Sequence, residues 1–176
     1  ECRAPIDTAT IQKLFKQYVP KGSNGRAPAG AFYHIDPNGN LKVNLFSSSS
    51  HNRQAVASTQ KILTAWIAVK NGSLSQRIKF SSLDLEYDKE GNRAVNPTTG
   101  KTIQVGESPK LGELLYTLLY QSSNGAAQAI SHGVGGTTPK FIHWVNQEVP
   151  ELLNNTSVES YFQNPNGLTD TDDHYQ

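Results

Sequence analysis

The stretch Ala57-Ser58-Thr59-Gln60-Lys61-Ile62-Leu63-Thr64-Ala65-Trp66-Ile67-Ala68-Val69 decides how the rest of the chain is read. It reads as a helix that opens with a serine and is stopped by Gly72. Apolar residues at 62, 63, 65, 66, 67 and 69 run almost all the way round, which predicts a buried helix rather than a surface one. Ser58 and Lys61 are three residues apart and share a face. Ser58 falls at the helix N-terminus, where unpaired N–H groups and the helix dipole favour developing negative charge. Burial disfavours the charged form of a lysine. A lysine that has lost its proton can take one from a neighbouring hydroxyl and turn a weak nucleophile into a strong one. The plain alternative is an N-cap serine followed by an ordinary lysine. With sixteen serines and eleven lysines in 176 residues, about one Ser-x-x-Lys arises by chance, so the pair takes its meaning from the rest of the site.

A chain of 176 residues is long enough for one domain with a real core. It is 36% hydrophobic and 18% charged with a net charge of +1, a balance that gives no electrostatic case for nucleic acid or an anionic membrane surface. No apolar run approaches the roughly 20 residues of a membrane span. Methionine is absent even at position 1, the pattern of a processed chain such as an exported protein after signal removal. Cys2 is the only cysteine, so the chain forms no internal disulfide and no thiolate metal cluster. Glu1 before it is not the small residue of a lipoprotein cleavage site. The histidines at 34, 51, 132, 143 and 174 have no paired spacing, read as surface or loop residues, and predict no zinc site.

Upstream of the Ser58 stretch, Thr8 to Val19 predicts a helix with Ile11, Leu14, Phe15 and Tyr18 on one stripe. Lys21 to Pro28 reads as a loop. Gly30 to Ile35 and Leu41 to Phe46 flank Asp36-Pro37-Asn38-Gly39-Asn40 and predict a β-hairpin. Ser47 to Asn52 reads as polar low complexity. Downstream, Ile78 to Glu107 predicts an irregular lobe with a small hairpin, its turns at 88–92 and 96–100. Ser108-Pro109 predicts a helix with serine as N-cap and proline first, its core face Leu111, Leu114, Leu115, Leu118 and Leu119. A tight turn at 122–125, a short helix over 126–131 and a glycine link over 133–136 follow. Thr138-Pro139 opens a last helix that turns Phe141, Ile142, Trp144, Val145 and Val149 inward and stops at Pro150. Trp66 and Trp144 read as core. The remainder reads as loop, with one strand around 158–162.

Gly100-Lys101-Thr102 is not a phosphate loop, because the glycine that pattern needs five residues earlier is Val95. Ser122-x-Asn124 sits in a turn between two helices, where a hydroxyl could relay a proton and an amide could hold a carbonyl or the lysine; as Ser, Asn and Gly are ordinary turn residues, it reads equally as a linker.

Taken together, Ser58-x-x-Lys61 and Ser122-x-Asn124 resemble the active-site set of penicillin-binding DD-peptidases and serine β-lactamases. Asp36-Pro37-Asn38-Gly39, the Ser58 stretch, Gln121 to Ala126, Asn164-Pro165-Asn166-Gly167-Leu168 and His174-Tyr175 come in the order of low-molecular-mass D-alanyl-D-alanine carboxypeptidases, a likeness running from about Ala29 to Gln176. The resemblance implies an α+β sandwich: an antiparallel sheet flanked by helices, a helical lobe, and a cleft at the start of the Ser58 helix. Residues 1–176 would form one transpeptidase-like catalytic domain lacking the last strands of its sheet. Ser58 would be the acylated nucleophile, Lys61 its proton acceptor, Ser122 the relay to the leaving group and Asn124 the binder of substrate and of Lys61, with the Ser58 N–H as one oxyanion donor. No metal or cofactor is implied.

The implied substrate is a peptidoglycan peptide ending in D-Ala-D-Ala, penicillins would acylate the same serine, and the implied location is the periplasm or the outer face of the bacterial membrane. A class A-like β-lactamase and a non-catalytic penicillin- or peptidoglycan-binding relative are the alternatives. Three departures stand out: Gly125 where many members have Asp, Asn166 where many have His, and no Lys-Thr-Gly. That strand is expected from the rest of a longer or cleaved polypeptide or from a second chain. Glu148 and Glu151 are read as lying outside the site.

Overall fold

The computed structural model describes residues 8–18, 30–35, 38, 41–48, 56–88, 93–152 and 161–168. The chain divides into two compact units, Glu1–Arg53 and Gln54–Gln176. In the first, helix α1 (Thr8–Tyr18) precedes an antiparallel pair, β1 (Gly30–Ile35) and β2 (Leu41–Ser48). The hairpin forms where the Asn-Gly signal places it, and β2 runs on through Ser48 into what reads as low complexity. Phe32 pairs with Phe46 but Tyr33 with Asn44, and His34 with Val43 but Ile35 with Leu41. One residue of β2 is thus skipped at each of two places, the irregularity of a bulged edge. Of the stripe expected on α1, Phe15 is buried while Leu14 and Tyr18 are exposed.

The second unit is helical and contains the main core. A 3-10 turn (Ala57–Thr59) leads into α2 (Gln60–Asn71), followed by α3 (Ser82–Tyr87), α4 (Leu111–Tyr120), α5 (Asn124–Gly135) and α6 (Thr138–Leu152). Helix α2 ends at Gly72 as expected, but it is not buried all round. Ile67 and Ala68 are in the core, whereas Ile62 and Val69 are exposed. Its buried face is part polar, and carries Gln60, Lys61 and Thr64.

Helix α3 arises inside the segment read as irregular. Ser81 caps it, accepting from the Asp84 amide, while the Asp84 carboxylate accepts from the Ser81 amide at 2.7 Å. This reciprocal box is legible as Ser-x-x-Asp. The expected small hairpin shrinks to one bridge, Val95 to Thr102, around the predicted 96–100 turn. Helix α4 starts after Lys110, not at Ser108. Residues 107–110 are drawn off by long-range pairing, since the Glu107 and Pro109 carbonyls accept from the Phe80 and Ile78 amides. Leu111, Leu114 and Leu118 are fully buried, and Leu119 faces out.

Helix α5 takes in the expected glycine link as far as Gly135 and ends at Gly136, which has φ +78°. Glycine serves there for packing: a Cβ on Gly133 would come within 2.5–2.8 Å of the Ile78 side chain. Helix α6 continues past Pro150 to Leu152, losing one N–H from its last turn without stopping. Phe141, Val145 and Val149 face the core, and Trp66 and Trp144 pack half-buried against it. Expectations for Cys2, the 21–28 loop, His51, residues 158–160 and His174-Tyr175 lie outside the described residues; Tyr161 and Phe162 are not in a strand.

Candidate active site

The 3-10 turn holds Ser58 exposed, and the first turn of α2 carries Lys61 inward to 2% exposure. The i, i+3 spacing brings them into contact: Lys61 Nζ donates to Ser58 Oγ at 3.0 Å. The residue before the serine, Ala57, has φ +46°, a left-handed value that strains a side chain with a Cβ.

Three polar side chains on one face of α2 are satisfied by three consecutive backbone carbonyls from about a hundred residues away. Gln60 Nε2 donates to the Asn164 carbonyl at 2.7 Å, Thr64 Oγ1 to that of Pro165 at 2.6 Å, and Lys61 Nζ to that of Asn166 at 3.2 Å. The segment is shaped for the task by its own side chains. Asn164 Oδ1 accepts from the Gly167 amide at 2.7 Å, and Asn166 Oδ1 accepts from the Leu168 amide at 2.9 Å. Gly167 has φ +81°, and a Cβ there would overlap the Ala57 carbonyl oxygen. Upstream, Asn146 on α6 exchanges two hydrogen bonds with the Phe162 backbone, at 2.8 and 2.9 Å. Asn166 meets Lys61 through its backbone carbonyl, not its side chain.

Burial pushes the Lys61 ammonium below the ordinary lysine range, and the negative charge of Asp88 partly opposes this. A neutral amine in this place can give one N–H to the Asn166 carbonyl and turn its lone pair on the Ser58 hydroxyl. The arrangement is therefore chemically fit for proton abstraction from Ser58.

Ser122 lies in the α4–α5 connection, half-buried, with φ +57°. Asn124 opens α5 and is buried, its Oδ1 without a hydrogen-bond partner. Among the described residues, no hydrogen bond links either side chain to Ser58 or Lys61. Of the two non-glycine residues with positive φ among the described residues, Ala57 immediately precedes the first motif and Ser122 opens the second. The middle residue of the second motif, Ser123, caps α5 by accepting from the Ala126 amide at 2.8 Å.

Sequence reasoning missed several contributors. The Asn164–Asn166 carbonyls have no side-chain signature. Asp88 is buried at the end of α3, and nothing local marks it. His132, read as a surface residue, is half-buried on α5 and sits 3.1 Å from both carboxylate oxygens of Asp84. Its signal was only the helical run of α5. Glu148 is ion-paired with Lys70, between α6 and α2.

With this geometry in place, comparison with known proteins gives the class. The model of the D-alanyl-D-alanine carboxypeptidase family matches residues 23–176. The chain belongs to that family. Among solved structures it is similar to the D-alanyl-D-alanine carboxypeptidase DacD of Francisella tularensis, with 24% identity and a TM-score of 0.60 over 88% of this chain and 38% of that one. A D-alanyl-D-alanine carboxypeptidase of Mycobacterium tuberculosis aligns with 24% identity and a TM-score of 0.64, covering 87% of this chain and 51% of that one. A Streptomyces DD-transpeptidase aligns with 21% identity and a TM-score of 0.64, covering 81% and 53%. These likenesses establish the serine DD-peptidase fold, and the chain spans between 38% and 53% of the length of these three structures. Comparison with curated protein sequences gave no match.

Proposed function

We propose that the protein is a serine-type D-Ala-D-Ala carboxypeptidase that cleaves peptidoglycan stem peptides through an acyl-enzyme at Ser58. The observation that carries this reading is the buried, desolvated Lys61 amine held 3.0 Å from the exposed Ser58 hydroxyl. Family membership supplies the reaction class.

In the proposed reaction Ser58 Oγ attacks the penultimate D-Ala carbonyl carbon as its proton passes to Lys61 Nζ. The Ser58 N–H supports the negative oxygen of the tetrahedral intermediate. The C–N bond breaks and the departing amine of the last D-Ala takes up a proton through Ser122. Water then attacks the Ser58 ester as its proton passes to Lys61 Nζ, the ester C–O bond breaks, Ser58 Oγ takes that proton, and the shortened peptide leaves. Asn124 binds the substrate backbone. A penicillin presents a carbonyl to the same oxygen, and its acyl-enzyme is released slowly. The substrate places the protein outside the bacterial cytoplasmic membrane, as an exported protein, and no helix among the described residues is long and apolar enough to cross one.

Labelled penicillin should mark the wild-type protein and leave Ser58→Ala unmarked; equal labelling of the two removes the assignment. Release of D-Ala from a D-Ala-D-Ala peptide distinguishes an enzyme from a pure binder. The pairing of Glu148 with Lys70 weighs against a class A-like β-lactamase, in which a glutamate activates the deacylating water. Many rapid turnovers of a chromogenic cephalosporin per site would reverse that choice.

A further inference from the structure

Asp88, the residue that closes α3, is buried to 2% exposure. It accepts three hydrogen bonds from neutral groups: Ser123 Oγ and the Gly125 amide to Oδ1, and the Ala94 amide to Oδ2, each at 2.8 Å. Two of the three donors, Ser123 and Gly125, flank Asn124 just after Ser122. A Cβ on residue 125 would overlap the Asp84 backbone carbonyl oxygen and stand 2.7 Å from the Asp88 carboxylate carbon and 2.8 Å from its Oδ2. Glycine at 125 therefore lets the start of α5 lie against both the α3 backbone and the Asp88 carboxylate.

We propose that Asp88 is a positioning residue for acyl transfer, a carboxylate brought in from α3 that fixes the 122–125 turn. The proposal rests on the reading of Ser58, Lys61, Ser122 and Asn124 given above. A buried carboxylate is costly unless its oxygens are hydrogen-bonded, and here two of the three donors belong to the 122–125 turn. The turn cannot shift without stranding the charge. The same charge acts at a distance on Lys61, favouring its protonated form against burial. Other charged groups on the surrounding elements are Asp84 and Glu86 on α3, His132 on α5, Lys70 on α2 and Arg93 before Ala94. Of these, His132 is held by Asp84 and Lys70 by Glu148. Asp88 is the group whose charge bears on Lys61.

Asp88→Asn keeps the shape and the acceptor facing Ser123 and Gly125 but removes the charge. The second-order rate of acylation by labelled penicillin, followed against pH, is the readout. Loss of the charge leaves the desolvation of Lys61 unopposed, so the acid limb of the profile should move to lower pH. The plateau should fall roughly tenfold as the turn loosens. A plateau that falls with an unmoved limb, or no change in either, overturns the proposal. Should Asp88→Asn fail to fold, Ser123→Ala gives the second reading, since it removes one bond to the carboxylate and keeps the charge. Its plateau should fall with the limb in place, and a wild-type plateau overturns the proposal. Ser58→Ala in the same assay separates the two levels. If it labels like wild type, the site assignment fails; if it is silent while the Asp88 and Ser123 variants match wild type, only the role of Asp88 fails.

Discussion

Lys61 is pulled two ways. Burial of its side chain favours the neutral amine, and the negative charge of Asp88 resists that change. Two hydrogen bonds, one to Ser58 and one to the Asn166 carbonyl, hold the nitrogen in place while its charge is decided by these opposing effects. Arginine at this position keeps a cation but does not give up its proton in a protein. Lys61→Arg should therefore reduce penicillin acylation by on the order of 10²–10⁴-fold, the usual contribution of a general base. The larger head group in a packed site should cost about 1–3 kcal/mol of stability, leaving a folded protein by circular dichroism. Acylation of that variant near the wild-type rate would move the base elsewhere, with Ser122 next in line.

At the scale of elements, α2 and the 164–168 segment form one unit of structure. The helix offers a row of side-chain donors, the segment a row of carbonyls, and Gly167 lets the two lie in contact. Gly167→Ala places a Cβ on the Ala57 carbonyl at a backbone angle that favours glycine. The variant should lose roughly 3 kcal/mol in urea titration, as strained and overpacked positions do. Because Ala57 adjoins Ser58, its acylation should slow as well. An unchanged urea midpoint would show that the segment does not press on the 3-10 turn. Helices α3 and α5 are coupled in a similar manner, through the Asp84–His132 pair and through Asp88 beneath the start of α5.

On the scale of the whole molecule, α5 is the helix around which the second unit is built. Residues 126, 127, 129 and 130 are fully buried, and small side chains and glycines let α2, α3, α4 and α6 approach it. Opening these amides requires most of the core to be lost, so α5 should exchange its amide hydrogens at or near the rate set by global unfolding. The first unit has a two-stranded sheet and an amphipathic helix with two of its large apolar side chains exposed. Two strands alone are marginally stable, so α1 amides should exchange markedly faster than those of α5. Equal protection in hydrogen-exchange mass spectrometry would refute this division of stability.

Features carried by neighbouring residues were legible in the sequence by itself. The Asn38-Gly39 hairpin, the Gly72 stop, the leucine face of α4 and the Ser58–Lys61 contact each span a few positions and depend on particular side-chain types. The Ser58–Lys61 pair spans only three residues, less than one helical turn. Tertiary structure decided the rest because the groups involved are far apart or carry no signature. Lys61 meets Asn166 across 105 residues and Ser123 meets Asp88 across 35. In the first case the acceptor is a backbone carbonyl, which every residue has. The start of α4 moved for the same reason: amides at 78 and 80 claimed the carbonyls of 107 and 109, and no local propensity records such competition. Sequence thus determined that Lys61 meets Ser58, because three residues along a helix suffice for that, and tertiary structure determined that the lysine is buried and anchored, because its second acceptor is a backbone carbonyl 105 residues away.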